Sequence, residues 1–148
     1  MKLVALALLG LVVVAGGCSS MEYYEAPRNA TAQTAATVTG SRTNFLSLVR
    51  GVEASITRVD GKAAPVRSYS ESFLIAPGTH RVLMTASEGP VAAVALVDFN
   101  FEAGRSYVVR ASDIETKTPE IWLEDARTGQ LIARRFSADL RPNSPPGN

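Results

Sequence analysis

The amino-acid sequence predicts an all-β domain, an antiparallel β-sandwich of seven to eight strands. Short runs of alternating apolar and polar residues recur along the chain, as half-buried strands require. Turn-forming pairs such as Asp60–Gly61 and Pro77–Gly78 separate these runs. No helical period extends beyond a turn or two. A small barrel with the same number of strands is the alternative architecture.

Residues 73–84 form the stretch around which the domain is expected to assemble, because two β-type runs meet there at a tight turn. Pro77 fixes φ at the first central position of the turn, and Gly78 supplies a positive φ at the second. Beyond the turn, alternate residues are predicted to face the core, namely His80, Val82, Met84 and Ala86.

The chain before this turn contains three predicted strands. Residues 36–39 form a short first strand that ends at Gly40, and residues 52–59 alternate up to the turn at Asp60–Gly61. Residues 69–75 form the third strand. Residues 43–50 fit either one helical turn or an irregular loop over the core.

The longest alternating run, residues 91–101, is predicted to be a central strand that begins buried on both faces. Shorter strands follow at residues 107–110 and 121–123, with Trp122 on the opposite face from its neighbours. Thr128–Gly129 then turns the chain into a strand over residues 130–135. From Arg141 onward the proline-rich tail is predicted to be loose.

The first seventeen residues have the features of an export signal. Lys2 gives a positive start, an apolar run of about 13 residues follows, and Ala15–Gly16–Gly17 are small enough for a peptidase site just before Cys18. This leader resembles a bacterial lipoprotein signal with residues 15–18 as its lipobox. The resemblance implies acylation of Cys18 and cleavage before it. An ordinary secretory signal and an uncleaved anchor are the alternatives, and the run is short of the ~20 residues that a spanning helix needs.

These features divide the chain into four parts. Residues 1–17 are predicted to be a signal peptide, 18–34 the acylated cysteine with a flexible tether, 35–137 the sandwich and 138–148 a disordered tail. Tyr23 and Tyr24 are expected to be exposed within the tether, and the alternative is that they dock onto the domain or lie at a membrane interface. In a bacterium with two membranes, the family rule for Ser19 directs the protein to the outer membrane, facing the periplasm.

Composition argues against several classes of function. Removing Lys2 from the fifteen basic residues leaves fourteen, equal to the fourteen acidic ones, so the mature chain is formally neutral. A neutral chain without a basic block offers no electrostatic footprint for nucleic acid. Cys18 is the single cysteine, which rules out a disulfide within the chain.

Candidate chemistry is sparse, and the sequence predicts no catalytic residue, no cofactor and no metal. His80, the single histidine, is expected to pack beside the turn and bond a backbone carbonyl or water. The alternative is an envelope hydrolase that uses His80, with Asp98 as its acid. Asp98, Asn100 and Glu102 alternate on one face, which fits a solvated face better than a cation site.

Two features of the strand around residues 121–125 are further candidates for a site. Glu124 and Asp125 are adjacent and should point to opposite faces, so they cannot share an acid–base site. Trp122 is expected to belong to the core or to cover the sheet, and contact with a partner is the alternative.

Short turn motifs carry a second resemblance over most of residues 35–135. They are Thr39–Gly40–Ser41, Val59–Asp60–Gly61–Lys62, Ala76–Pro77–Gly78–Thr79–His80, Ala103–Gly104–Arg105–Ser106–Tyr107 and Ile121–Trp122–Leu123–Glu124–Asp125. In order and spacing they resemble bacterial envelope lipoproteins with a transthyretin-like or PEGA-like sandwich, which implies a binding or scaffolding role. The sequence therefore predicts a membrane-anchored, non-catalytic interaction or structural module whose partner is an envelope protein or cell-wall glycan. An accessory lipoprotein of a secretion or envelope-assembly complex is the alternative.

Overall fold

A computed structural model describes residues 20–43, 51–114, 118–132 and 136–142. Within these residues the chain forms eleven strands in two sheets and no helix, which confirms the predicted all-β sandwich. In chain order the strands are β1 (Ala36–Thr39), β2 (Ser41–Thr43), β3 (Val52–Val59), β4 (Lys62–Ala63), β5 (Ser72–Ile75), β6 (Gly78–Glu88), β7 (Val91–Phe101), β8 (Ser106–Ala111), β9 (Glu120–Asp125), β10 (Phe136–Ser137) and β11 (Asp139–Pro142).

The two sheets divide these strands unequally. The five-stranded sheet has the order β10–β9–β8–β1–β5, and the six-stranded sheet has the order β11–β7–β6–β3–β2 with β4 also paired to β3. Strand pairs are antiparallel except β1 and β8, which run parallel in the middle of the five-stranded sheet. This parallel pair departs from the antiparallel arrangement that the sequence predicts, since a single run of alternating residues does not reveal the direction of its neighbour.

The core lies between the two sheets and is built from alternate residues of each strand. The predicted inner face of β6 is confirmed, because Val82, Met84 and Ala86 are fully buried. Leu83 and Thr85 point to the other side of the sheet and remain half-buried. From the five-stranded sheet, the opposing residues include Val38, Ile75, Val109, Ile121 and Leu123.

Both predicted turn sites contain the positive φ that their glycines favour, but only Asp60–Gly61 closes a hairpin. Pro77 and Gly78 instead join β5 to β6, which belong to different sheets, and Gly78 is already the first residue of β6. Gly78 has φ of +119°, a value that side chains with a Cβ rarely adopt. Asp60 and Gly61 have φ of +50° and +81°, so both central residues of the β3–β4 hairpin have positive φ. This is the pattern of the turn that matches the twist of a two-residue hairpin.

The chain passes from one sheet to the other at Gly40, which separates β1 from β2 by a single residue. A Cβ at Gly40 would meet the carbonyl oxygens of Ala54 and Tyr69, the latter at 2.5 Å. The neighbouring Ser41 hydroxyl donates to the Val109 carbonyl oxygen at 2.5 Å and so bonds β2 to the opposite sheet. The sequence predicts the end of β1 here but not β2.

Residues on both sides of the predicted 35–137 domain also belong to it. Tyr24 is 8% exposed and joins the core, and β11 pairs with β7. The predicted disordered tail, residues 138–148, is therefore wrong for Asp139–Pro142, which pair with residues 91–94 of β7. Pro142 is compatible with this position because β11 is an edge strand. Residues 143–148 lie outside the described residues.

The sequence predicts that β7 begins buried on both faces and ends half-exposed. The start has this pattern at Ala92 and Ala93, which point to opposite faces and are both buried, although Val91 before them is 39% exposed. Leu96, on the side away from the core, is 64% exposed, because no second layer covers that side of the six-stranded sheet within the described residues.

Two further predicted segments, residues 44–50 and 133–135, lie outside the described part of the chain. In the part that the structure describes, no helix is long and apolar enough to cross a membrane.

Candidate functional site

The side of the six-stranded sheet that faces away from the core, here called the outer face, carries a row of side chains in register. Leu96 pairs with Leu83, and Leu83 pairs with Arg58 beyond a bulge in β3. Arg58 pairs with Ala63, and Ala63 forms a parallel bridge with Tyr23. Since paired residues share a face of a sheet, the five side chains lie side by side across it.

Large apolar side chains on this face are open to solvent. Leu96 is 64% exposed, Tyr23 is 56% exposed and the nearby Met21 is 55% exposed. Leu83 and Val94 lie beside Leu96 and are half-buried. An apolar cluster of this kind at the surface is typical of a contact site.

Two shallow grooves cross the outer face. One, of about 670 Å³, lies between the N-terminal segment and residues 66–69, with Met21, Tyr23 and Tyr69 in its lining. The other, of about 400 Å³, crosses β6 and β7 at Leu83 and Leu96. Four charged side chains border this second groove. Three are basic, Arg58, Arg81 and Arg141, and the fourth is the acidic Asp139.

The segment that leads to this face from the N-terminus is docked on β4. The Tyr24 amide donates to the Ala63 carbonyl at 2.7 Å, and the Ala63 amide donates to the Glu22 carbonyl at 2.9 Å. The Glu22 carboxylate also pairs with Lys62 Nζ at 2.6 Å. Residues 22–24 are therefore docked on the sheet, where the sequence predicts a flexible tether.

Tyr24 fixes this segment to the core. Its hydroxyl accepts a hydrogen bond from the Ala76 amide at 2.9 Å, and its ring meets the His80 ring edge-on at 6.1 Å between centroids. The expectation of two exposed tyrosines is confirmed for Tyr23 and wrong for Tyr24, because Tyr24 fills the space beside the Pro77–Gly78 turn. The tyrosine pair gives no sequence signal for this difference.

His80 lies on the inner side of that turn with both ring nitrogens engaged. Nε2 lies 3.0 Å from the Ala76 carbonyl oxygen, and it must donate because a carbonyl only accepts. This confirms the predicted bond to a backbone carbonyl. Nδ1 lies 2.6 Å from Asp60 Oδ2, so the acid beside His80 is Asp60 and not Asp98.

Asp60 also bonds the backbone of β6, since its Oδ1 accepts from the Arg81 amide at 2.9 Å. Partial burial raises the pKa of Asp60, but the hydrogen bonds from His80 and from Arg81 outweigh it, so the pKa lies below 3.8. The contact between Asp60 and His80 therefore holds the β3–β4 hairpin against the start of β6.

Asp98 and Glu102, for which the sequence favours a solvated face over a cation site, bond different arginines. Asp98 accepts two hydrogen bonds from Arg81, at 2.8 and 3.1 Å, and Glu102 accepts one from Arg105 at 3.0 Å. The hydrogen bonds from Arg81 hold the pKa of Asp98 below its usual value. Among the described residues, no three His, Cys, Asp or Glu side chains are grouped as a metal site.

Glu124 and Asp125 point to different partners, as the sequence predicts. Glu124 accepts from Trp122 Nε1 at 2.8 Å and from Arg110 Nε at 3.1 Å on the solvent side of the five-stranded sheet. Asp125 accepts from the backbone amides of Thr128 and Arg127, which lower its pKa. Trp122 thus covers the sheet, half-buried.

Cys18 lies outside the described residues, so its predicted modification has no structural description here. The sequence did not predict the outer face as a site. Its only signal was that Leu83 and Leu96 occupy the side of β6 and β7 opposite to the core residues.

Comparisons of this chain with protein-family models, with curated proteins and with solved structures find no significant match. The chain is therefore described by its own structure, as a two-sheet β-sandwich whose outer face carries exposed apolar side chains.

Proposed function

We propose that the chain is a cell-envelope lipoprotein, anchored through acylated Cys18, whose β-sandwich acts as a non-catalytic interaction or structural module. The observation that carries the proposal is the leader, in which Lys2, an apolar run and three small residues precede Cys18. It fits the fold, because the chain that follows Cys18 is docked on the sandwich at Tyr24.

Acylation of Cys18 provides the anchor in physical terms. Each buried methylene contributes about 0.8 kcal/mol to membrane binding, so two or three acyl chains hold the protein far more firmly than one. Ser19 favours the outer membrane, facing the periplasm, in a bacterium that has two membranes. An envelope protein or cell-wall glycan is the proposed partner of the sandwich.

The contacts of the candidate side chains support the proposed role of the domain as a non-catalytic module. His80 bonds Asp60 and the Ala76 carbonyl, and the carboxylates Asp98 and Glu102 bond arginines. Each of these groups has a structural partner, which supports a binding or scaffolding role for the sandwich.

Mass spectrometry of the membrane-extracted protein tests the anchor. We expect a species that has lost residues 1–17 and gained diacylglyceryl and acyl mass on Cys18. Cys18→Ala should accumulate as the uncleaved precursor, because the thiol that accepts the lipid is missing. Ser19→Ala is the matched control and should be processed normally.

Two results would contradict the proposed lipid anchor. A protein recovered from the cytosol with Met1 in place and an unmodified Cys18 thiol would refute the lipoprotein proposal. Normal cleavage of Cys18→Ala would instead indicate an ordinary secretory signal.

A further inference from the structure

We infer that the outer face of the six-stranded sheet lies against the lipid headgroups of the membrane that holds Cys18. This inference rests on the proposed acylation of Cys18 and adds the orientation of the domain and the surface that it contacts. The carrying observation is the row from Tyr23 to Leu96, which starts next to the anchor.

Chain length keeps the N-terminal edge of the sheet close to the bilayer. Tyr23 follows Cys18 by five positions, which span at most about 18 Å when the chain is fully extended. Met21 is only three residues away, which corresponds to about 11 Å. Each headgroup layer is itself roughly 5–8 Å thick. The edge formed by the docked segment therefore stays within or just above the headgroups.

The exposed side chains select the face that turns toward the lipid. Tyr23 is 56% exposed and begins the row, and a tyrosine ring with its polar tip suits the headgroup level. Leu83 and Leu96 continue the row away from the anchor. Four strand spacings of about 4.8 Å separate Tyr23 from Leu96, so the row is about 19 Å wide.

Charge on the outer face is compatible with phosphate headgroups. Arg58, Arg141 and Asp139 border the groove beside Leu96, and Arg81 on the same face is paired with Asp98, so these five side chains carry one net positive charge. Basic side chains near an anionic lipid surface are attracted to it.

The opposite side of the sandwich has a different character. There Trp122 and Arg110 both bond Glu124, which gives a polar surface network. Of the large apolar side chains that are exposed, Met21, Tyr23 and Leu96 lie on the outer face, whereas Leu131 lies on the opposite side beside Glu124. The outer face also carries Tyr23, which follows Cys18 by only five positions in the chain.

Fluorescence quenching in vesicles tests the orientation. The acylated, full-length mature protein is inserted into phosphatidylcholine–phosphatidylglycerol vesicles that contain a lipid with a nitroxide on its headgroup. Tyr23→Trp and Leu96→Trp are each made in a Trp122→Phe background, so that one tryptophan reports one position. The wild-type protein, whose tryptophan is Trp122, is the matched control for the opposite face.

We expect both new tryptophans to lose about half of their emission or more, since an interfacial ring lies at the level of the nitroxide. Trp122 should lose little. If Trp122→Phe disturbs the circular dichroism spectrum of the sandwich, the two substitutions are made in the wild-type background and the added emission is compared with that of Trp122 alone.

Other patterns would overturn the inference. Quenching of Tyr23→Trp without Leu96→Trp would place only the N-terminal edge at the membrane, and quenching of Trp122 alone would place the other face there. A vesicle-bound protein with both new tryptophans unquenched would show that its outer face points away from the bilayer, toward solvent or a second copy of the chain. A chain that lacks acyl mass and does not float with the vesicles would refute the proposed function, and the orientation with it.

Discussion

The contact between Asp60 and His80 shows how much structure a single turn residue can determine. Asp60 adopts a positive φ in the hairpin and at the same time bonds His80 Nδ1 and the Arg81 amide. The sequence predicts the turn and the carbonyl bond of His80. It does not predict Asp60 as the partner, because the two residues are twenty positions apart and meet only through the register of β3 and β6.

We expect Asp60→Asn to lower the free energy of unfolding by about 1–2 kcal/mol at pH 7, since it weakens hydrogen bonds to a charged acceptor. Asparagine tolerates the positive φ, so the backbone should be retained. The measurement is urea denaturation followed by circular dichroism.

The pH dependence of this difference provides a second check. The folded pKa of Asp60 lies below the ordinary 3.8, so its stabilisation is fully present above 3.8 and is lost as the pH falls through the folded pKa. The two proteins should therefore converge in stability at low pH. Asp139→Asn, at an exposed position on the edge strand, should change little at either pH. A constant gap between wild type and Asp60→Asn down to pH 2 would contradict this role.

At the scale of the strand, the long elements are readable from the sequence and the short ones are not. β6 and β7 alternate over eleven residues each, so their inner faces can be predicted. β2, β10 and β11 have two to four residues, and they are strands because an open sheet edge is available to them. That edge is a property of the assembled fold rather than of their own residues.

We expect Gly40→Ala to destabilise the domain by about 2–3 kcal/mol, because the added Cβ would press on the backbone carbonyls of Ala54 and Tyr69. Gly129→Ala is the matched control. Gly129 has φ of +68° in open space, so alanine there costs only about 1–2 kcal/mol for its backbone conformation.

Thermal and urea unfolding of the two variants distinguish steric from conformational cost. Equal losses for Gly40→Ala and Gly129→Ala would show that the passage between the sheets is looser than the structure indicates.

At the scale of the whole molecule, the folded unit starts earlier than the sequence suggests. Nothing in residues 20–26 alternates clearly, and the segment is docked because Tyr24 finds the space beside His80. The outer face was equally hidden, since Tyr23 and Leu96 are distant in the chain and become neighbours in one row only through four strand pairings.

We expect Tyr24→Ala to cost about 3 kcal/mol, as truncation of a buried aromatic side chain usually does. Amide hydrogen exchange should also become faster at Ala63 and Ala76, because their acceptors are Glu22 and the Tyr24 hydroxyl. Tyr23→Ala removes an exposed ring and should leave both quantities nearly unchanged. Protection at Ala76 that survives Tyr24→Ala would contradict the docking of this segment.

The docked segment has a mechanical consequence if Cys18 is held in a membrane. Tension on the anchor would load two backbone hydrogen bonds to Ala63 and the tyrosine hydroxyl bond before it reached any of the long strands. Bonds at the margin of a sheet yield one after another, whereas the interior strands open together. Peeling the chain back to the next hydrogen-bonded turn, where the Ala30 amide donates to the Pro27 carbonyl, would lengthen the tether from about 20 Å to about 30 Å with the sandwich still folded. The contacts of Tyr24 would then determine the greatest distance between the domain and the bilayer.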